Sequence, residues 1–213
     1  MKSSTVEYAD YAEYDRRQRG ILRHLLTAFL GGVAVGLLGL LPSGQLASLY
    51  DPYAYLALII AVGATASGLS WAALAVFLAA TSSVVGTMGA GALQGDFDLN
   101  SVGGDATGLN VLVVLLVALG LLGYASRRAD LWGDLAAGAI SALLVSDVID
   151  RASKGFLDYE PGFWPWPAAG LAVLSLCLPL GLRRTVGGRL RALGVALALS
   201  GLFALALLGP WAG

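Results

Sequence analysis

Apolar runs of bilayer length recur along this chain with only short polar turns between them, near 21–41, 53–69, 71–93, 108–126, 130–151, 168–182 and 192–209. A chain of this kind has no hydrophilic block large enough to fold alone. Charged residues make up 13% of it and apolar residues 57%, whereas soluble domains carry about 25% charged residues. In hydrocarbon every backbone polar group must be satisfied within the segment, which selects helices. The expected fold is all-α: a polytopic transmembrane helix bundle of about seven spans. Residues 1–20 form an N-terminal tail, and 21–213 form a single transmembrane domain.

The basic residues give the bundle a direction. Lys2, Arg16, Arg17, Arg19 and Arg23 precede or open the first run. Arg127 and Arg128 lie between the fourth and fifth, and Arg183, Arg184, Arg189 and Arg191 between the sixth and seventh. With seven spans, these 11 of the 13 basic residues share one side, leaving Arg151 and Lys154 opposite. The positive-inside rule then places the N-terminus inside and the C-terminus outside. The turn between the second and third runs has no basic residue, so that pair is the weakest crossing in the pattern.

The run Asp130–Arg151 differs from the others because it carries several ionisable residues. As a helix, Asp130 to Asp150 rises roughly 30 Å, the thickness of a hydrocarbon core. Asp134 lies one turn inside one end and Asp147 about one turn inside the other. Asp147, Asp150 and Arg151 share a face, from which Asp134 is rotated away. A carboxylate below the interface faces a partner charge, water or the bundle interior. Two readings follow. Asp147, with Asp150 and Asp134, contributes to a ligand or proton site; or Asp147 pairs with Arg151, and Asp134 pairs with Arg127 or Arg128 near the headgroups.

Three other stretches carry candidate chemistry. In the third run, Thr81, Ser82, Ser83 and Thr87 lie among glycines and alanines. They suit either an unwound helix lining a cavity or close packing with hydroxyls bonded to their own backbone. Trp164 and Trp166, set among three prolines, suit either a lid over a cavity beside Asp147 or an aromatic belt at the headgroups. In the tail, Tyr8, Tyr11 and Tyr14 recur every three residues. They suit a short partner-docking or interfacial helix, or a tail lying near the headgroups. Gly32-x-x-x-Gly36 in the first run permits close helix approach.

Several functions lack their residues. The last run has no lysine for a retinal Schiff base. The single His24, at the membrane edge, and the single Cys177 provide no metal or haem set. His24 is misplaced as the base of an intramembrane protease. The acidic loop at 94–107 lacks the alternating ligands and closing Glu of an EF-hand. No P-loop is present, and the dispersed basic clusters do not suit nucleic acid. No cofactor is expected, and enzyme activity is disfavoured.

The expected partners are the lipid bilayer and a possible protein docked on the tail or on small-residue helix faces. Two functions remain: small-solute transport, or a substrate-binding membrane subunit of a transporter; and a non-catalytic accessory or scaffold subunit. The Ala-, Gly- and Arg-rich composition fits a high-GC bacterial genome and hence a cytoplasmic membrane. The Arg-rich start, the loop LLPSGQLASL after the first run, and Gly187–Gly194, GGRLRALG, resemble a group of small actinobacterial multi-pass membrane proteins of unknown function. That resemblance implies a membrane protein and contributes no site residues.

Overall fold

A computed structural model describes residues 4–42, 45–95, 106–153 and 159–207. The described residues form eight α-helices and no strand: α1 Ser4–Leu38, α2 Gln45–Tyr50, α3 Tyr53–Thr65, α4 Leu69–Gln94, α5 Ala106–Ala125, α6 Leu131–Ala152, α7 Trp166–Leu182 and α8 Val186–Leu207. Five of them (α1, α4, α5, α6 and α8) contain stretches long and apolar enough to cross a membrane. At about 1.5 Å per residue, α3 with 13 residues and α7 with 17 rise roughly 20 and 25 Å.

The helix boundaries depart from the apolar runs in three places, each for a local reason. Only Gly20, which a helix tolerates at a small cost, separates the polar start from the first apolar run, and α1 continues through it as one helix of 35 residues. The loop after α1 contains a short helix, α2. α8 begins at Val186, so Arg189 and Arg191 lie in its opening turns rather than in a connecting turn. Thr185 Oγ1 accepts the Gly188 N–H at 3.2 Å there, satisfying one of the donors a helix start leaves orphaned.

α4 and α6 are the two hubs. α4 packs on α1, α3 and α5, α6 packs on α5, α7 and α8, and α5 joins the two groups. The interior is rich in small residues: Ala72, Ala75, Ala79, Ala80, Ala137, Ala192 and Ala196 are buried beside Ile59, Val76 and Ile140. Large apolar side chains such as Leu26, Phe29, Phe77, Val114, Leu174 and Leu202 point outward. Exposed apolar surface on this scale does not suit water. Small residues inside, with bulk outside, are how helices associate within lipid. The molecule is a membrane-embedded helical bundle.

Glycines set the closest approaches. A Cβ on Gly36 would lie 2.6 Å from the Thr87 nitrogen on α4, and one on Gly86 would lie 2.7 Å from the Val33 oxygen on α1. The glycine pair of α1 is therefore used within the chain, against α4. Gly63 of α3 meets the Gly120 backbone of α5 just as tightly.

Contacts between helix ends show that α1 and α3 to α8 alternate in direction. The end of α1, the starts of α3 and α7 and the end of α6 lie together: Tyr50 donates to the Val35 carbonyl at 2.7 Å, and Arg151 lies 3.6 Å from Glu160. The ends of α3, α5 and α7 and the starts of α6 and α8 gather at the other side, where Arg127 donates to the Ala66 carbonyl and Arg183 reaches the Arg128 carbonyl at 2.6 Å. The described residues of the first end include Asp51, Asp147, Asp150, Arg151 and Glu160 (the acidic end). The second holds the arginines of both interhelical turns (the basic end).

Candidate functional site

The acidic end is assembled from three elements. Tyr53, in the first turn of α3, donates its hydroxyl to Asp147 Oδ2 at 2.5 Å. Arg151, one turn beyond Asp147 on α6, places Nε 3.2 Å from the same oxygen, so the i, i+4 pair is present. Its Nη1 faces Glu160, and the Glu160 N–H donates to the Arg151 carbonyl at 3.0 Å, drawing the segment before α7 over the end of α6. The Asp147 and Arg151 side chains are 29% and 19% exposed, reachable from this end but not bathed in solvent. Asp150 is half-buried beside them. In the turn leading into α3, Asp51 is exposed as a residue, but desolvation by the groups around its carboxyl raises it above its ordinary value; Arg151 opposes this and Asp147 adds to it.

The tryptophans lie outside the packed bundle. Trp164 and Trp166 are exposed, at 67% and 83%, while Phe163 between them and Glu160 is 2% exposed and packs with Val148 and Ala168. The segment is anchored by the ring that can reach a space between α6 and α7, and the bulkier indoles are left outside.

The hydroxyl stretch of α4 also differs from the unwound-helix alternative. α4 is continuous through it. Thr81 bonds the Phe77 carbonyl at 2.8 Å, Ser82 that of Ala79 at 3.1 Å, Ser83 that of Ala80 at 2.8 Å and Thr87 that of Ser83 at 3.0 Å. Each hydroxyl is satisfied by its own helix, and the small side chains at Ser82 and Ser83 let α1 press against them. Only Thr87 gains an outside partner, the Tyr55 hydroxyl at 3.1 Å. Tyr53 and Tyr55 thus use the first turn of α3 to tie it to α6 and α4 respectively. The structure does not bring the α4 hydroxyls to Asp147.

Asp134 overturns the headgroup expectation. It is 2% exposed and meets neither Arg127 nor Arg128. Its Oδ1 lies 2.5 Å from Arg183 Nη2 and its Oδ2 lies 3.2 Å from Arg191 Nε. The Arg183 contact is close but not aligned as a hydrogen bond, so its attraction is chiefly ionic. Arg183, itself buried, also donates Nη1 to the Ser126 carbonyl at 2.9 Å and to that of Arg128 at 2.6 Å. One guanidinium therefore holds the α5–α6 turn, the first turn of α6 and the α7–α8 turn together. Gly133 makes room, since a Cβ there would lie 2.6 Å from Arg183 Nη1. Arg127 and Arg128 serve elsewhere: Arg127 caps the end of α3 at Ala66, and Arg128 pairs with Asp130 at 2.6 Å. Asp130 is the N-cap of α6, accepting the Gly133 N–H at 3.2 Å, and Arg128 holds its carboxyl below the ordinary range.

Sequence reading missed Tyr53, Glu160, Phe163 and Arg183 as members of these clusters. An aromatic at the start of a span and an acid in a proline-rich turn were visible signals, but neither names its partner. The tyrosine stripe of α1 is described in part: Tyr11 and Tyr14 are exposed, while the Tyr8 side chain and the acidic loop beyond Gly95 lie outside the described residues. Comparison with known protein families, characterised proteins and solved structures gives no match.

Proposed function

We propose that this protein is a non-catalytic subunit of a membrane complex, with the polar start of α1 as its docking element. The carrying observation is the unbroken helix α1. Its 35 residues rise roughly 52 Å, against a hydrocarbon core of about 30 Å. The polar turns around Tyr11, Tyr14, Arg16 and Arg17 therefore stand clear of the bilayer as a rigid extension at the basic end, with both tyrosines exposed. The buried polar groups support the same reading: Asp134 and the α4 hydroxyls are consumed by intramolecular partners. In this reading α1 and α3 to α8 each cross a bacterial cytoplasmic membrane, the short α3 and α7 included, with the N-terminus and the basic end inside. Native mass spectrometry of the gently extracted protein tests it. A stoichiometric second polypeptide, lost in a Tyr11→Ala/Tyr14→Ala variant that keeps its fold, is the expected result. A bound small solute without any partner polypeptide would overturn it.

A second reading, solute transport or substrate binding, rests on the acidic end. There Asp51, Asp147, Asp150 and Glu160 outnumber Arg151 among the described residues, and Asp147 is reachable from that side. Under it Asp147→Asn abolishes uptake; under the first reading the substitution leaves the complex intact.

A further inference from the structure

The basic end contains a cleft of about 410 Å³ between the α5–α6 turn and the α7–α8 turn, lined by Arg127, Arg128, Leu182, Arg183, Arg184 and Thr185. Its lining has a charge the fold does not neutralise. Asp134 is committed to Arg183 and Arg191, and Asp130 to Arg128. Arg127 spends Nη1 on the Ala66 carbonyl and lies 6.0 Å from the Tyr124 ring centroid. Arg184 is exposed, and among the described residues no carboxylate lies within ion-pair distance of it. Arg183 is 6% exposed, and its buried Nε has no hydrogen-bond partner. Four helices end or begin around the cleft, so it sits at the depth of the headgroups, with Trp132 of α6 exposed nearby as an interfacial ring.

We infer that this cleft binds a phosphate group, and that the phosphate belongs to an anionic phospholipid of the leaflet facing the basic end. Guanidinium groups match phosphate oxygens in geometry as well as charge, and basic pockets between membrane helices suit anionic headgroups. The inference requires only that the bundle be embedded, so it stands apart from the docking role of α1.

Delipidated protein is reconstituted in nanodiscs of phosphatidylcholine containing graded phosphatidylglycerol, and retained lipid is counted by native mass spectrometry after mild extraction. The expected result is retention of phosphatidylglycerol over phosphatidylcholine. Arg184→Gln should weaken it about fivefold and Arg184→Glu roughly twentyfold or more, in line with the value of one basic residue near an anionic surface. Among the described residues Arg184 has no ion-pair partner to lose, and size-exclusion behaviour confirms each variant's fold. Arg17→Gln, which alters exposed charge on α1, should change retention less than twofold. Equal loss in Arg17→Gln, or no preference for phosphatidylglycerol, would overturn the site. Thermal stabilisation by inorganic phosphate that Arg184→Gln removes, without any lipid preference, would keep the phosphate chemistry and overturn its lipid source.

Discussion

Neutralising Asp134 is the most informative perturbation of this bundle. Its side chain is 3% exposed and that of Arg183 is 7%, so Asp134→Asn leaves a buried guanidinium without its counter-charge. Removing one partner of a buried pair costs about 3–5 kcal/mol. Arg183 retains its bonds to the Ser126 and Arg128 carbonyls, which places Asp134→Asn near the lower limit, about 3 kcal/mol. Arg183→Gln loses the charge and those two bonds as well, and should cost about 4 kcal/mol or more. Arg191 touches the same carboxylate but is 58% exposed, so Arg191→Gln should cost less than about 1 kcal/mol. A double-mutant cycle separates the two: coupling of about 2–3 kcal/mol between Asp134 and Arg183, and below about 1 kcal/mol between Asp134 and Arg191. Reversible unfolding in mixed micelles against the mole fraction of dodecyl sulfate gives these free energies. A cost for Asp134→Asn below about 1 kcal/mol, or stronger coupling to Arg191 than to Arg183, would refute the picture of one buried guanidinium clasping three turns.

The remaining predictions concern packing and the acidic end. Gly36→Ala should destabilise by about 1–3 kcal/mol, because its Cβ would meet the α4 backbone; Gly89→Ala and Gly201→Ala, which point into open space, should be neutral or stabilising by up to about 1 kcal/mol. The same unfolding measurement distinguishes them. Tyr53→Phe removes the hydroxyl bonded to Asp147 and should cost about 1–2 kcal/mol, and in an Asp147→Ala background, which has no acceptor there, Tyr and Phe at position 53 should be nearly equivalent. Asp51 has a raised carboxyl pKa in the folded protein, so its contribution is fully present below the unfolded pKa and is lost as pH rises through the folded one. Asp51→Asn should therefore raise thermal stability at pH 7 and have no effect near pH 3. Asp130 has the opposite sign: its contribution, present above the unfolded pKa, is lost as pH falls through its depressed folded value, and a melting series across that acid range in wild type and Asp130→Asn should converge.

Helix positions were legible in the sequence because helix formation in an apolar medium closes every hydrogen bond within a few residues of its donor. Residues 71–93 and 130–151 became α4 and α6 nearly as read, and the arginines marked which helix ends lie together. Asp130 and the glycine pair of α1 were equally local signals, one a cap and the other a packing face. Partners were another matter. Asp134 chose Arg183, 49 positions away in number, over Arg127 and Arg128 nearby, because only the packing of α6 against α7 and α8 carries that guanidinium to its depth. The α4 hydroxyls gave no sign of whether water or α1 would cover them; Gly32 and Gly36 settled it by letting a backbone arrive first. Phe163 went inside and its neighbouring tryptophans stayed out because the space between α6 and α7 is fixed by both helices together. Local hydropathy and hydrogen-bond closure are properties of a segment and can be read from it. Which face meets which is a property of the packed bundle, and the buried pairing of Asp134 with Arg183 was decided there.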